Sequence, residues 1–274
     1  MLTSTPMTVL TGRLSAFFKT VENQLSDSLT KVASGKRVES PFDNITDYFH
    51  ARNYKREYTD FDRVRTDVAE TSAMLDVASH IGEQVFDSMS NMRTLVDEYY
   101  KENVTSEDRL AIAAEFNAIK DQVAQTIENG YYDGKKLVAD TSVTGSLKKV
   151  NLDPKDLSQM FSVDFSASQV TDTSGLTIGS GNYQADAGAV QAELDKAGSY
   201  LGSVAAYSRG IKAQYNLVST KILATKAAES NIVDIDAGRE MALATKRSIQ
   251  HQSTATMIAQ ANMVRASIVK VLNF

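Results

Sequence analysis

His50, His80 and His251 are the three histidines of this chain, and they are the natural place to look for acid–base or metal chemistry near neutral pH. None belongs to an HExxH pattern, so no pair of imidazoles is presented on one helical face for zinc. Each reads as an isolated surface or packing residue. The stretch "DIDAG", Asp234–Gly238, alternates carboxylates as a calcium loop does. Its glycine comes one place too early for the loop's sharp turn, and the bidentate Glu near the loop's end is absent. It reads as an acidic turn entering a helix. Cysteine is absent, which removes thiolate ligands, cysteine nucleophiles and disulfides together. No GxxxxGK[ST] phosphate loop and no GxSxG elbow occurs. The sequons at Asn44 and Asn103 carry no assignment, and the methionines fit core filling better than a cofactor box. The expectation is therefore no catalytic residue, no cofactor, no metal and no enzyme activity.

What the chain does contain is periodicity. Leu10, Leu14, Phe17, Val21, Leu25, Leu29 and Val32 step by three or four, the stripe of an amphipathic helix. It stops at "SGKRVESPFDN", where Gly35 and Pro41 bracket a polar loop. Then Phe61, Val68, Leu75, Gly82, Met89 and Val96 recur every seven residues. Val64, Thr71, Ala78, Val85, Met92 and Tyr99 follow three behind. A heptad sustained this long predicts a rod, roughly 67 Å from Arg56 to Tyr100 at ~1.5 Å per residue. After "KENVTSED", where Thr105 or Ser106 can cap, Ile112, Phe116, Ile119, Val123 and Ile127 predict a third helix. It ends at "ENGYYDGKKL", whose Asn129-Gly130 and Asp133-Gly134 pairs are turn signals.

From Val138 to Asp186 the composition turns to Ser, Thr, Gly and Asp. Short alternating pieces, such as "FSVDFSA" and "GLTIGS", predict small strands and turns there. A second heptad follows, with Val190, Ala197, Val204, Ile211, Val218 and Thr225 in one series. The other series is Leu194, Leu201, Ser208, Tyr215 and Ile222. After "ESNIVDIDAGRE" a last helix carries Ile249, Ser253, Met257, Gln260, Val264, Ile268 and Val271 on one face. The layout is nearly palindromic: helical ends around long rods around a short polar centre. The predicted fold is mainly α, with long antiparallel coiled-coil rods, paired N- and C-terminal helices and a small β-containing outer segment. Terminal helices paired in this way have little to bury themselves against within one chain. Copies of the chain would supply the missing core.

Charge narrows the partners. The net charge is −5, which argues against a general nucleic-acid binder. No apolar run approaches the length of a membrane span, and the first residues lack the layout of a cleavable secretory signal. Residues 241–274 contain no acid but carry Lys246, Arg247, Arg265 and Lys270. A basic amphipathic helix of that kind also suits an anionic membrane surface. Two matched termini and two matched rods favour helix–helix association instead, with no membrane partner.

Three stretches now resemble one family. "KVASGKRVESPFDN", Lys31–Asn44, is similar to the signature after the first helix of bacterial flagellins. "NIVDIDAGREMALATKRSIQHQSTATMIAQANMVRASIVKVLNF", Asn231–Phe274, resembles their C-terminal signature, most specifically in "AQAN" and the apolar close. "IENGYYDGKKL" is similar to the turn after the family's third core helix. The resemblance covers roughly residues 8–140 and 187–274, with order and spacing preserved. The loop with Pro41 also resembles the hook–filament junction protein, which shares the N-terminal region. The "AQAN…VLNF" ending favours flagellin.

The resemblance implies a structural subunit that assembles into the hollow flagellar filament for swimming. Residues 1–36 with 236–274 would form the coiled coil of the inner tube, residues 37–139 with 187–235 the outer shell, and 140–186 a short variable surface segment. Self-assembly would rest on Leu14, Phe17, Val21, Leu25 and Leu29 of the first helix. Met257, Gln260, Val264, Ile268, Val271 and Leu272 would serve from the last. Ser34, Gly35, Arg37 and Asp43 mark the loop signature. In the family a Leu, a Glu and an Arg on the shell helices are read by a vertebrate immune receptor. Leu95 and Glu115 match as candidate receptor-facing residues, and Asn91 stands at the Arg position. Implied partners are further copies of the chain, junction and cap proteins, an export chaperone and the flagellar export apparatus. The implied place is the extracellular filament, reached without a cleaved signal peptide. The chain departs from the family in its short centre and in "ITDYFHARNYKREYTDF", which is aromatic and charged where the family is Ala-rich. Tyr48, Phe49, Tyr54, Tyr58 and Phe61 there suit either an unusual lateral contact or packing on the chain's own rods.

Overall fold

A computed structural model describes residues 5–138, 148–156, 158–165 and 173–272, with side chains of 5–8, 269, 271 and 272 left aside. Five helices dominate it: α1 (Thr5–Ser34), α2 (Ile45–Tyr99), α3 (Ser106–Glu128), α4 (Tyr183–Val233) and α5 (Ala237–Leu272). Two antiparallel hairpins join them, β1 (Tyr131–Tyr132) with β2 (Lys135–Lys136), and β3 (Lys148–Asn151) with β4 (Met160–Val163). The expected mainly α fold with a small β segment is what is found. The chain divides into two compact units, residues 1–56 with 225–274, and residues 57–224.

In the larger unit the first heptad is the buried seam of α2. Phe61, Val64, Val68, Thr71, Leu75, Ala78, Gly82, Val85, Met89, Met92 and Val96 are all buried, and Tyr99 is half-buried. The partner is the antiparallel α4. Near one end Tyr183 donates to Asp97 at 2.8 Å and Tyr100 donates to Asp186 at 2.8 Å. Further along, Tyr200 and Leu201 close over Gly82, where a Cβ would come within 2.9 Å of both. Glycine at a seam position thus lets a tyrosine ring act as the knob. The second heptad reads differently from expectation. Val190, Ala197, Val204, Ile211 and Val218 are buried and Thr225 is half-buried; of the other series Ile222 is buried, but Leu194, Leu201 and Ser208 are only half-buried and Tyr215 is exposed. Buried Tyr200 and half-buried Tyr207 take the places expected for Leu201 and Ser208. Ala197, Tyr200, Val204, Tyr207 and Ile211 thus face the core together, with the Tyr200 ring fitted over Gly82 and its hydroxyl on the Leu137 carbonyl.

Thr105 starts α3 through a capping box. Its hydroxyl accepts from the Asp108 amide at 3.2 Å, and the Asp108 carboxylate accepts from the Thr105 amide at 3.4 Å. Phe116, Val123 and Ile127 bury one face of α3 on the same core. The turn Asp133-Gly134 has φ of 48° and 71°, the pair of positive values that a two-residue hairpin requires. β4 covers the start of "FSVDFSA", and the aromatic rings of Phe161 and Phe165 pack on Tyr207 at 6.1 Å and 5.6 Å. "GLTIGS" is not a strand. It follows a 3₁₀ turn at Thr173–Gly175, and Leu176 is buried while its carbonyl accepts from Lys120 at 3.3 Å. Gly179 and Gly181 then adopt positive φ and lead the chain into α4, a path that alternation alone does not reveal.

Candidate assembly surface

In the smaller unit α1 and α5 form an antiparallel hairpin. Phe18 stacks against His251 with ring centroids 4.3 Å apart. Toward the other end Ser28 donates to Glu240 at 2.5 Å, and Arg247 donates to the Gln24 carbonyl at 3.0 Å. Arg247 also donates to Ser28 and lies 3.7 Å from Glu240. The seam is thus part polar: Ser28 and Thr254 are buried alongside Val21 and Ala244, with Leu14, Leu25, Ile258 and Ala261 half-buried beside them. Small and hydroxylated residues let the helices close up, and the Ser–Glu–Arg cluster satisfies its own polar groups.

This seam divides the expected assembly residues. Leu14, Val21 and Leu25 turn toward α5. Phe17 and Leu29 do not, and stand 50% and 54% exposed. On α5 the outward set is larger, with Met257 50%, Val264 48% and Ile268 45% exposed and Gln260 exposed beside them. Val271 and Leu272 are helical, but their side chains lie outside the described residues. The face read as apolar in the sequence is therefore not the one that α1 covers. The residues that do meet α1 (Ala244, Arg247, His251, Thr254, Ile258 and Ala261) also step by three and four. Their mixed polarity hid that step from a search for apolar periodicity.

The result is a two-helix hairpin with apolar residues left on its outside. A groove of about 320 Å³ opens along it, lined by Leu25, Leu29, Val32, Met241, Ser248 and Ile249 among others. A second of about 520 Å³ shares Leu25 and Leu29 and reaches Glu22 and His251. Leaving so many large aliphatic side chains in water is unfavourable by roughly 25 cal/mol per Å² of apolar area.

The loop signature does separate work. Gly35, at φ 69°, ends α1 with its amide on the Lys31 carbonyl at 2.9 Å, while Ser34 accepts from the Lys36 amide at 3.3 Å. Arg37 then reaches the C-terminal end of α4. Its guanidinium donates to the Ile232 carbonyl at 2.6 Å and pairs with Asp47 at 2.9 Å, and its amide donates to the Val233 carbonyl. Asp43 accepts from the amides of Ser40 and Glu39 at 2.8 Å and 3.0 Å, which holds its carboxyl below the usual range. The loop so formed returns the chain into α2, whose first turn is capped by Asn44 on the Asp47 amide at 3.1 Å. Of the immune-receptor candidates, Leu95 is buried, 8% exposed, in the core of the larger unit; Glu115 and Asn91 are exposed. Of the aromatic segment, Phe49 is exposed, Tyr48, Tyr54 and Tyr58 are half-buried, and Phe61 belongs to the core.

Among the described residues no group of acidic or histidine side chains is placed to hold a metal, and no helix is long and apolar enough to cross a membrane. Comparison with known proteins points to one family. Residues 11–143 match the bacterial flagellin N-terminal helical region, and residues 185–272 match the bacterial flagellin C-terminal helical region. A flagellin of Listeria monocytogenes is 23% identical over 265 residues, spanning 91% of this chain and 92% of that protein. A flagellar filament 33 kDa core protein of Treponema phagedenis is 21% identical over 286 residues, 96% and 99% of the two chains. Among solved structures, a putative flagellar hook-associated protein from Vibrio parahaemolyticus overlays with a TM-score of 0.49 at 16% identity, over 70% of this chain and 97% of that one.

Proposed function

From the premise that this chain belongs to the bacterial flagellin family, we propose that it is a self-assembling structural subunit of the extracellular flagellar filament and serves swimming motility. One observation carries the reading: α1 and α5 pair through a partly polar seam and leave Phe17, Leu29, Met257, Val264 and Ile268 in solvent. A helix pair with apolar residues outside it gains stability by burying them against further copies. In the assembled state residues 1–36 with 236–274 form the inner tube, and residues 37–139 with 187–235 form the shell around it. The segment 140–186 faces outward. The absence of cysteine suits a chain that is exported before it folds, and export brings with it a chaperone, an export apparatus, and junction and cap proteins as partners.

Electron microscopy of the purified full-length protein, seeded or salted out at neutral pH, tests the proposal. Long uniform tubes are the expected result. Short closed rings would give the chain the role of a hook–filament junction protein, and monomers that bind anionic vesicles would make it a membrane-surface protein.

A further inference from the structure

The apolar residues outside the α1–α5 hairpin fall into two separate patches, and their placement dictates the kind of contact they can make. On α5 the residues facing α1 are Ala244, Arg247, His251, Thr254, Ile258 and Ala261. At about 100° per residue, Met257, Val264 and Ile268 lie about 90° round to one side of that direction, and Met241 lies about as far round to the other. On α1 the residues facing α5 include Leu14, Phe18, Val21, Leu25 and Ser28. By the same count Leu10, Arg13 and Phe17 turn to the first side, and Glu22 and Leu29 to the second. In an antiparallel pair, residues turned the same way round on each helix share one side of the hairpin. The groove that unites Leu29 with Met241 shows this directly.

The first patch, Leu10, Phe17, Met257, Val264 and Ile268, is therefore a ridge on one side, toward the start of α1 and the end of α5. The second is the groove around Leu25, Leu29, Met241 and Ile249, on the opposite side and at the opposite end. Charge distinguishes them further. The ridge carries exposed Arg13 and no acid, since no Asp or Glu occurs in residues 5–21 or 241–272, while the groove is flanked by exposed Glu22.

We infer that the ridge of one copy seats in the Leu29–Met241 groove of the next, with Arg13 of the first set against Glu22 of the second. The inference rests on the self-assembly reading above and specifies which surfaces meet. Because the two patches are different surfaces, the contact is head-to-tail. Each copy keeps one free ridge or groove, so the series continues rather than closing as a symmetric dimer.

Cysteine cross-linking tests this, since the native chain has no cysteine and any disulfide must come from the introduced pair. The chain would carry Leu29→Cys and Val264→Cys, both at exposed positions. In the register set by Phe18 with His251 and Ser28 with Glu240, the two sites in one copy are about 24 residues apart along the hairpin, ~36 Å. A disulfide needs Cα atoms within about 7 Å, so a bond between them must join two copies. Oxidised filaments of the double variant should give a ladder of dimers, trimers and higher multiples on a denaturing gel, and either single variant none. Dimers from a single variant would show a symmetric contact and overturn the inference, as would intact filaments of the double variant without a ladder. Should the cysteine variants not assemble, a charge swap decides. Arg13→Glu and Glu22→Arg should each raise the critical concentration for assembly about tenfold, and the two together should restore it. Failure of that restoration refutes the pairing. If the unaltered protein forms no filaments, the proposed function itself falls.

Discussion

Replacing Gly82 by Ala should destabilise the larger unit, although the same change elsewhere on these helices should stabilise it. Gly82 sits in the buried heptad of α2, and an added Cβ would lie 2.9 Å from Leu201 Cδ2 and from two ring atoms of Tyr200. The Tyr200 ring cannot simply swing away. It is fully buried, its hydroxyl donates to the Leu137 carbonyl at 3.2 Å, and its other side meets Phe165 at 5.0 Å. Overpacking of this kind costs about 1–3 kcal/mol. Against it stands the helix propensity of Ala over Gly, about 1 kcal/mol. The net is a loss of up to ~2 kcal/mol. Gly202, in α4, has nothing within 4 Å of the same added atom, so Gly202→Ala should gain about 0.5–1 kcal/mol. Both variants can be melted under non-assembling conditions, with near-ultraviolet circular dichroism as the probe. The chain lacks Trp, so that signal reports its tyrosines, several of them in this core. At ~2–4 °C per kcal/mol, Tm should fall by a few degrees for Gly82→Ala and rise for Gly202→Ala. Equal increases for both would refute the claim that Tyr200 and Leu201 close over Gly82.

Other expectations follow from single contacts. Thr105→Ala removes the hydroxyl half of the capping box on α3 and should cost about 0.5–2 kcal/mol in the same melt, whereas Thr105→Ser should recover most of it. Burial pushes the Asp186 carboxyl up, but bonds from Ser180 and Tyr100 outweigh this and leave it below its ordinary 3.8. A lowered carboxylate stabilises the fold fully above that value and loses the contribution as pH falls through the folded one. Melts across pH should therefore show stability declining below about pH 4, less steeply for Asp186→Asn, and an unchanged slope in that variant would sink the assignment. Val264→Asp should abolish filament formation while far-ultraviolet dichroism stays unchanged, because the side chain touches solvent rather than α1. Normal filament yield would remove Val264 from the assembly surface.

The rod of α2 was legible in the sequence because its buried face is apolar almost without exception, so spacing and burial coincide from Phe61 to Val96. The hairpin at Asp133-Gly134 was legible for a different reason: few residue pairs tolerate two positive φ angles in a row. On α4 the heptad gave the helix but mistook its orientation. Leu194 and Leu201 are the more obvious core residues by type, yet Tyr200 is wholly buried. What makes that choice is the space over Gly82, on another helix more than a hundred positions away, together with a carbonyl at Leu137 within reach of the hydroxyl. Neither is a property of α4's own residues.

On α1 and α5 the relation between apolarity and burial is reversed, and the reversal bears on function. A pattern search finds Met257, Val264 and Ile268 because they are apolar, and concludes that they belong to a core. Within one chain they belong to none; the covered positions are Ala244, Arg247, His251 and Thr254. Were the apolar face used within the chain, the hairpin would be more stable alone and would have less to gain from a neighbour. Pairing through Ser28, Glu240 and Arg247 instead joins the two helices by specific but modest contacts, each hydrogen bond contributing about 0.5–1.5 kcal/mol net, somewhat more where a charge takes part. On the proposed self-assembly, most of the hydrophobic stabilisation is withheld until copies meet. The hairpin should accordingly be the less stable unit of the free chain, and hydrogen exchange should find α1 and α5 the least protected long helices before assembly and strongly protected after it. Strong protection of both helices in the free chain would mean that the polar seam suffices by itself, and the driving force for assembly would have to be sought on the rods.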